Sequence, residues 1–284
     1  MQIEKVGVAG FNEMGFGISL VVARSGFAVS IWDTDEARKA LFDGLIDNAL
    51  KAGTLSSEDK EALLSRIILG TDLAVLKDAD LVIESLGEDL ALKRRFFADL
   101  SHVVGEDAIL ATHTSCHSVT EICQAAKNPQ RSLGMHFFKP PEVVKLVEVV
   151  KAEKSSRNIV DQAYDFCRKI GKEPVLAKDL PGFIVNYLWA PYMNQALEAY
   201  DQGLATKEDL DLTLEMGLGY PKGPLKLIDQ VGLDDYLEMT SAFYEESKDP
   251  KFAPPVILKR MVKSGKTGKK AGEGFYLYHS DHEE

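Results

Sequence analysis

The fold is decided near the start of the chain, where residues 3–17 read IEKVGVAGFNEMGFG. Residues 3–9 form a short β-type run, and the apolar spacing becomes helical over residues 13–25. A glycine-containing loop joins the two. A strand that enters a helix through such a loop is typical of the first βα unit of a parallel α/β sheet.

This loop approximates the pattern G-x-G-x-x-G, with Gly10 first, Asn12 in the middle, then Met14 and Gly15. The pattern brings backbone N–H groups and a helix N-terminus close to a pyrophosphate. Asparagine tolerates the left-handed backbone conformation that a middle glycine would otherwise supply. We therefore predict that these four residues bind a dinucleotide with altered affinity.

An acidic residue, Asp33, ends the second apolar run, about 20 residues after the loop, as a ribose contact requires. A carboxylate there accepts a hydrogen bond from a 2′-hydroxyl and repels a 2′-phosphate, which favours NAD over NADP as the cofactor. The alternative role of Asp33 is to cap the next helix, and the two roles are compatible.

The alternation of short apolar runs with amphipathic stretches continues to about residue 178, and almost everything after it has helical spacing. The sequence therefore predicts an α/β fold: a Rossmann-type domain with a mostly parallel sheet, followed by an all-helical C-terminal domain. We place the NAD-binding domain at residues 1–180 and a substrate and dimerisation domain at residues 181–284.

The bulk properties of the 284-residue chain restrict its partners. The formal net charge is −11, which argues against nucleic acid and anionic membranes as binding partners. No apolar run is long enough to span a bilayer, and the first residues lack the pattern of a signal peptide. Three cysteines without framework spacing suit a reducing compartment, so we expect a cytoplasmic protein.

A histidine and a glutamate suggest acid–base chemistry. His136 closes a predicted strand, and Glu148 lies in the next apolar run, where an unpaired carboxylate would be costly. An imidazole is a natural base for removing the proton of a secondary alcohol, and a carboxylate partner favours the imidazolium that forms. A lone histidine of this kind is more often structural, so the pairing with Glu148 carries the prediction.

Two further polar residues are candidates for substrate contacts. Ser115 follows another predicted strand, where its hydroxyl could bond a substrate oxygen or cap the following helix. Asn186 is flanked by apolar residues on the first helix of the second domain, where an amide usually needs a specific partner.

Several ordered segments, together with the opening loop, resemble the 3-hydroxyacyl-CoA dehydrogenase family over nearly the whole chain. They include Thr114-Ser115 and residues 134–138 (GMHFF), 145–149 (KLVEV), 181–186 (PGFIVN) and 220–225 (YPKGPL). The resemblance implies NAD-dependent interconversion of a (3S)-3-hydroxyacyl-CoA and a 3-oxoacyl-CoA, with short or medium chains. It also implies a homodimer that forms through the helical domain.

The same resemblance implies roles for individual residues. His136 matches the family's catalytic base and Glu148 its carboxylate partner, while Ser115 and Asn186 match the polar residues beside the reacting end of the substrate. The residues that match the family's NAD contacts outside the loop are Asp33, Glu88, Lys93 and His113, the last standing where the family has an asparagine.

The chain departs from the family pattern around the proposed reaction centre. Besides Asn12 and His113, Cys116 and His117 replace a serine and a leucine, and Lys139 replaces an asparagine. His113, Cys116 and His117 are metal-ligand types at close spacing, but a structural zinc site usually has four ligands, so we expect no metal.

Basic residues near residues 36–66 are candidate coenzyme A anchors, although solvated helix charges are their default interpretation; they are Lys51, Lys60 and Arg66. Two alternative functions stay open. In the first, the chain is a dehydrogenase that acts on a hydroxy compound without coenzyme A. In the second, it is a weakly active homologue with a binding or structural role.

Overall fold

The computed structural model describes residues 2–35, 42, 44, 46, 47, 50 and 56–278. In this part of the chain eight strands form one sheet in the order β3-β2-β1-β4-β5-β6-β7-β8. The strands are β1 Lys5–Ala9, β2 Ala28–Trp32, β3 Ile67–Gly70, β4 Leu81–Glu84, β5 Ile109–Thr112, β6 Ser132–Phe137, β7 Leu146–Lys151 and β8 Glu173–Lys178.

Neighbouring strands pair in parallel except β6 and β7, which are antiparallel. The strand order reverses between β1 and β4, and open α/β sheets bind ligands at the carboxyl ends of the strands beside such a reversal. The predicted mostly parallel, Rossmann-type sheet is confirmed.

Helices cover both faces of this sheet. They are α1 Glu13–Arg24, α2 Ser57–Leu64, α3 Leu90–Leu100, α4 Val119–Cys123 and α5 Arg157–Lys169. Buried apolar side chains of α1, α2 and α5 form one hydrophobic cluster with the sheet, and those of α3 and α4 form a second cluster. Because strands of a parallel sheet are buried on both faces, their residues form continuous apolar runs such as the LVI with which β4 begins.

The chain folds into two compact units, Met1–Phe183 and Ile184–Glu284. The second unit is helical, as predicted, with α6 Val185–Asp201, α7 Lys207–Leu218, α8 Pro224–Val231, α9 Leu233–Ser247 and α10 Val256–Lys263. Its helices are joined by buried polar contacts. Tyr236 donates its hydroxyl to the carbonyl oxygen of Ala190 (2.8 Å) and to Oδ1 of Asn194 (2.9 Å).

Short 3₁₀ helices complete the described elements, at Leu73–Leu76, Pro129–Arg131, Pro250–Phe252 and Lys269–Ala271. None of the helices in the described ranges has the length and apolar character that crossing a membrane requires. The roles predicted for residues 1–180 and 181–284 stay predictions.

Candidate active site

A histidine–glutamate pair lies on the two antiparallel strands of the sheet. The register places His136 of β6 directly opposite Glu148 of β7. Nδ1 of His136 donates to Oε2 of Glu148 at 2.8 Å, and the Glu148 side chain is completely buried. Since a buried carboxylate is stable only with a partner, the pair explains why an acidic residue is tolerated among the aliphatic residues of β7.

Three rings surround the imidazole of His136. The ring centroids of Phe138 and Phe183 lie 4.5 and 5.5 Å away, and the ring of His113 is stacked at 5.5 Å with an interplanar angle of 19°. The imidazole is therefore held both by an acid at Nδ1 and by aromatic packing. In the neutral ring, the bond to Glu148 leaves the lone pair on Nε2.

His113 is a neutral partner in this stack. Its Nδ1 accepts a hydrogen bond from the backbone N–H of Phe137 at 3.2 Å, which places its own proton on Nε2. Burial, together with the neighbouring His136, lowers the pKa of His113 to about 3. The residue that departs from the family's asparagine is thus an uncharged hydrogen-bond donor through Nε2 at neutral pH.

Glu88 and Ser115 are brought together at the carboxyl ends of β4 and β5. Oε1 of Glu88 accepts from the backbone N–H of Ser115 (2.6 Å) and from its hydroxyl (2.9 Å), and Oε2 accepts from the Thr114 hydroxyl (2.8 Å). Burial opposes ionisation of Glu88, but Lys93 and these hydrogen bonds outweigh it and lower its pKa. Glu88 is therefore an anion that fixes the position of Ser115.

Lys93 lies beneath this cluster and is completely buried. Its Nζ is 2.8 Å from Oε1 of Glu84 and 3.5 Å from Oε2 of Glu88. Burial opposes the charged form, but the two carboxylates outweigh it and raise the pKa of Lys93. The predicted contact of Lys93 with NAD stays a prediction; the structure shows Lys93 as the cation that supports Glu88.

Glu84 was not singled out in the sequence. Its side chain is also fully buried, and it accepts from the Thr112 hydroxyl (2.6 Å) as well as from Lys93. The signal was available, because Glu84 is the only charged residue of the buried strand LVIE, and an acid at such a position requires a cation nearby.

The glycine-rich loop has the tight geometry of a nucleotide cradle. Gly10 has a φ of +99°, and a Cβ there would lie 2.5 Å from the carbonyl oxygen of Ser85. A Cβ on Gly15 would collide with the carbonyl oxygen of Gly10. Only glycine fits either position, since any side chain would push the loop away from the strand and helix. Met14 follows in the first turn of α1 and is buried.

Asn12 does not have the left-handed conformation that we expected from its place in the motif. Its φ is −111° and its ψ −175°, so it is extended and caps α1. Oδ1 accepts from the N–H of Gly15 (3.0 Å), and Nδ2 donates to the carbonyl oxygen of Ser85 (2.5 Å). The physical reason for asparagine is therefore helix capping and not backbone strain.

Asp33 lies beside this loop. Its Oδ2 accepts from the backbone N–H of Phe11 at 2.7 Å, and its Oδ1 accepts from the N–H of Asp35 at 3.1 Å. The carboxylate is thereby tied to the glycine-containing loop. The helix predicted after Asp35 falls largely outside the described residues.

The remaining residues predicted from the sequence make no described contact with the His136–Glu148 pair. Asn186 is the second residue of α6, in the second unit, so its contact with the substrate stays a prediction. Nζ of Lys139 pairs with Oε2 of Glu13 at 3.1 Å, and both side chains are exposed. Two of the candidate coenzyme A anchors have partners within the protein. Nζ of Lys60 lies 3.6 Å from Oδ1 of Asp47, and the guanidinium of Arg66 donates to the carbonyl oxygen of Ala62. The third candidate, Lys51, lies outside the described residues.

Cys116 and His117 converge on Glu88, while His113 is stacked on His136 instead. One ligand atom each from Glu88, Cys116 and His117 lie within 4.8 Å of one another. The trio of metal-ligand types that the sequence analysis considered and set aside has His113 in place of Glu88. Glu88 was missed as a neighbour of these residues because it precedes them by one whole βα unit.

These features fit a bound NAD. The loop offers a close backbone approach and the N-terminus of α1, Asp33 provides an acceptor for a ribose hydroxyl, and the strand order reverses at this edge.

Comparison with known proteins agrees with the geometry. The model of the NAD-binding domain of 3-hydroxyacyl-CoA dehydrogenase matches residues 5–180, and the model of its C-terminal domain matches residues 182–278. The Rossmann-type fold, the glycine-containing loop and the two matching domain models together define an NAD-dependent oxidoreductase. More particularly, the chain belongs to the 3-hydroxyacyl-CoA dehydrogenase family.

Individual relatives are similar along nearly their full length. A 3-hydroxybutyryl-CoA dehydrogenase of Mycobacterium tuberculosis is 40% identical, with 97% of this chain and 99% of the relative covered. The human mitochondrial hydroxyacyl-coenzyme A dehydrogenase is 39% identical, with 97% and 91% covered. A crystal structure of (S)-3-hydroxybutyryl-CoA dehydrogenase from Ralstonia eutropha superposes with a TM-score of 0.92 at 34% identity, over 98% of this chain and all of that one.

Proposed function

We propose that this enzyme interconverts (3S)-3-hydroxyacyl-CoA and 3-oxoacyl-CoA thioesters, with His136 as the general base and acid and Glu148 as its partner. The observation that carries the proposal is the 2.8 Å bond between His136 Nδ1 and the buried Glu148 carboxylate. That bond presents the unprotonated Nε2 of a neutral imidazole for exchange of a proton with a hydroxyl group.

The chain's own groups account for the proton. Nε2 of His136 takes the proton of the 3-hydroxyl, and the imidazolium that results is stabilised by Glu148, whose completely buried charge is screened little by water. In the reverse direction the same nitrogen returns the proton to the carbonyl oxygen. NAD, when bound, supplies the nicotinamide ring that exchanges a hydride with C3 of the substrate.

Ser115 and Asn186 complete the proposed substrate contacts. Ser115 donates its hydroxyl proton to Glu88, so its oxygen is an acceptor for a water molecule bound beside the substrate. Glu88 fixes that hydroxyl, and Lys93 fixes Glu88. The proposed cofactor contacts are those predicted from the sequence, with Asp33 at the ribose and His113 beside the nicotinamide.

Short acyl chains are the proposed substrates. The support is that relatives in Mycobacterium tuberculosis and Ralstonia eutropha carry the name 3-hydroxybutyryl-CoA dehydrogenase. We further propose a cytoplasmic homodimer that forms through the second unit. Comparing kcat/KM for acetoacetyl-CoA with that for longer 3-oxoacyl-CoA thioesters tests the chain length, and a higher value for a long chain would contradict it.

The proposed chemistry is tested by NADH oxidation in the presence of acetoacetyl-CoA. We expect His136→Ala to lower kcat by about 100- to 10,000-fold, the usual contribution of a positioned acid or base. His102→Ala is the matched control, because His102 is exposed and lies two residues after the end of α3. NADH binding by the variant, measured by fluorescence titration, should remain close to that of the parent.

Two results would overturn the proposal. Turnover by His136→Ala within a few-fold of the parent would remove His136 from the chemistry. A parent protein that binds NADH but reduces no CoA thioester would support the alternatives, a dehydrogenase of another hydroxy compound or a homologue with a binding role.

A further inference from the structure

A second cluster of reactive side chains lies at the carboxyl ends of β4 and β5, next to the proposed reaction centre. Glu88, Cys116 and His117 each direct one potential ligand atom into a space where the three atoms are within 4.8 Å of one another. In the part of the chain that the structure describes, no other group of three such side chains converges in this way. Carboxylate, thiolate and imidazole are the ligand types that zinc binds in proteins.

The spacing is close to what a tetrahedral ion requires. Zinc bonds of about 2.0–2.3 Å at tetrahedral angles hold neighbouring ligand atoms about 3.4–3.6 Å apart. Atoms that lie within 4.8 Å of one another therefore need to close by up to about 1.4 Å, which side-chain rotation can supply. Three protein ligands with a fourth position open to water is the pattern of an exchangeable site.

The surroundings support the ligands. Nε2 of His117 donates to the carbonyl oxygen of Glu88 at 3.1 Å, which orients the ring and leaves the lone pair of the neutral ring on Nδ1. Metal-binding histidines commonly donate their other N–H to a backbone carbonyl in this way. Cys116 and His117 are held in register because both of their backbone N–H groups donate to the hydroxyl oxygen of Thr114.

The local charge also suits a divalent cation. Glu84 and Lys93 form a buried ion pair at 2.8 Å and neutralise each other. The Glu88 carboxylate and a Cys116 thiolate then carry two negative charges, which one divalent ion balances, while His117 is neutral. A bound ion would thus leave the cluster uncharged, at a position where Cys116 is buried, His117 is half-buried and Glu88 is exposed.

We propose that Glu88, Cys116 and His117 bind a zinc-type divalent cation, and that the bound cation inhibits the enzyme by withdrawing Glu88 from Ser115. The inhibition rests on the proposed function, because it requires that Ser115 and Glu88 serve substrate and NAD binding. An ion on Oε1 of Glu88 competes with both hydrogen bonds that this oxygen accepts from Ser115. The enzyme then becomes sensitive to free zinc.

The binding step is tested without turnover, by titrating Co²⁺ into the full-length, chelator-treated protein. We expect one equivalent to produce thiolate-to-cobalt charge-transfer absorption in the near ultraviolet. Cys116→Ser should lose this absorption. Cys123→Ala should retain it, because Cys123 is buried on α4 and is not part of the cluster. No absorption in the parent, or the same absorption in Cys116→Ser, would overturn the site.

The inhibition is tested with Zn²⁺ in the acetoacetyl-CoA assay, with each variant compared with its own activity in chelator. His117→Leu should raise the zinc concentration for half-inhibition by more than about tenfold, since even the loss of an outer partner of a ligand costs about that much affinity. His102→Leu, an exposed histidine away from the cluster, should match the parent. Equal zinc sensitivity of His117→Leu and the parent would overturn the proposal.

The two proposals fail separately. Cobalt absorption that depends on Cys116 in a protein without dehydrogenase activity would support the metal site and contradict the proposed function. Full dehydrogenase activity at a zinc concentration that saturates the site would contradict the inhibition.

Discussion

His113 shows how one substituted residue changes the environment of the proposed base. It is stacked on His136, and its Nδ1 is occupied by the backbone N–H of Phe137. Protonation of His113 would break that hydrogen bond and place a positive charge beside the imidazolium that His136 forms when it takes the substrate proton. The residue therefore provides packing and a neutral donor, and it contributes no charge at neutral pH.

This arrangement predicts how stability depends on pH. The pKa of His113 falls from 6.5 to about 3 on folding, so between these values the unfolded chain binds more protons and the free energy of unfolding falls as the pH falls. In His113→Asn the decrease of the free energy of unfolding with falling pH should be shallower, by up to about 1.4 kcal/mol per pH unit. Urea unfolding between pH 6.5 and 4 measures it.

The exposed His102 provides the control, as His102→Asn, for the loss of a histidine as such. An unchanged pH dependence in His113→Asn would mean that His113 takes up its proton in the folded protein as readily as in the unfolded chain.

A substitution of Glu148 tests the contribution of the carboxylate that is paired with His136. Glu148→Gln keeps the size of the side chain but removes the charge, and its amide can donate to Nδ1, which would turn the neutral ring to the tautomer with the proton on Nε2. We expect kcat to fall by about 100-fold or more, as for other acids that fix a catalytic histidine. Steady-state kinetics measures this fall, and Glu153→Gln, an exposed glutamate just after β7, is the control.

Retention of more than half of the parent kcat in Glu148→Gln would show that the buried charge is not needed. The folded state must be checked separately, because the carboxylate is completely buried. Thermal unfolding of the variant without ligands provides that check.

At the scale of elements, the N-terminus of α1 differs from the motif it resembles. The side chain of Asn12 accepts the N–H of Gly15 and so occupies a donor that a phosphate could otherwise use. The helix is well capped without a ligand. Nucleotide binding therefore competes with the protein's own cap.

The corresponding prediction concerns affinity for NADH. Asn12→Gly should strengthen NADH binding several-fold, because it frees the N–H of Gly15 and removes a side chain from the loop. It should lower the free energy of unfolding by only about a few tenths of a kcal/mol, the usual cost of a glycine N-cap. Isothermal titration calorimetry measures the affinity.

Asn128→Gly is a matched control, since Asn128 precedes a 3₁₀ helix without making a side-chain cap. Weaker NADH binding by Asn12→Gly would assign the asparagine side chain to the nucleotide itself.

At the scale of the whole molecule, the predicted homodimer can be tested from an exposed apolar surface. The second unit exposes large apolar side chains four residues apart on α7, with Leu212 at 54% and Met216 at 79% exposure. Apolar residues that recur on one helix face are typical of a covered surface. Light scattering after size exclusion should give twice the mass of the 284-residue chain.

The double variant Leu212→Lys and Met216→Lys should shift this mass towards one chain. Ile68→Lys, on the exposed side of β3 in the first unit, should leave it unchanged. A single-chain mass for the parent protein at all concentrations would contradict the predicted dimer.

Much of the fold was readable because its signals are local. The strand–loop–helix at residues 3–17 and the later apolar runs predicted the sheet, and the change of spacing after residue 178 predicted the helical part. Strand β8, Glu173–Lys178, was not predicted. It is an edge strand with a proline and mostly exposed residues, so it lacks the continuous apolar run of the buried strands.

The sequence by itself determined the family, the glycine loop and the acid–base candidates, because residue type and spacing along one strand or turn carry that information. Only the tertiary structure decided which distant residues meet. The parallel pairing of Glu84 with Thr112 places the ends of β4 and β5 side by side, and this brings Glu88 to Ser115, Cys116 and His117. Strand register, which depends on the packing of the whole sheet, sets such neighbours.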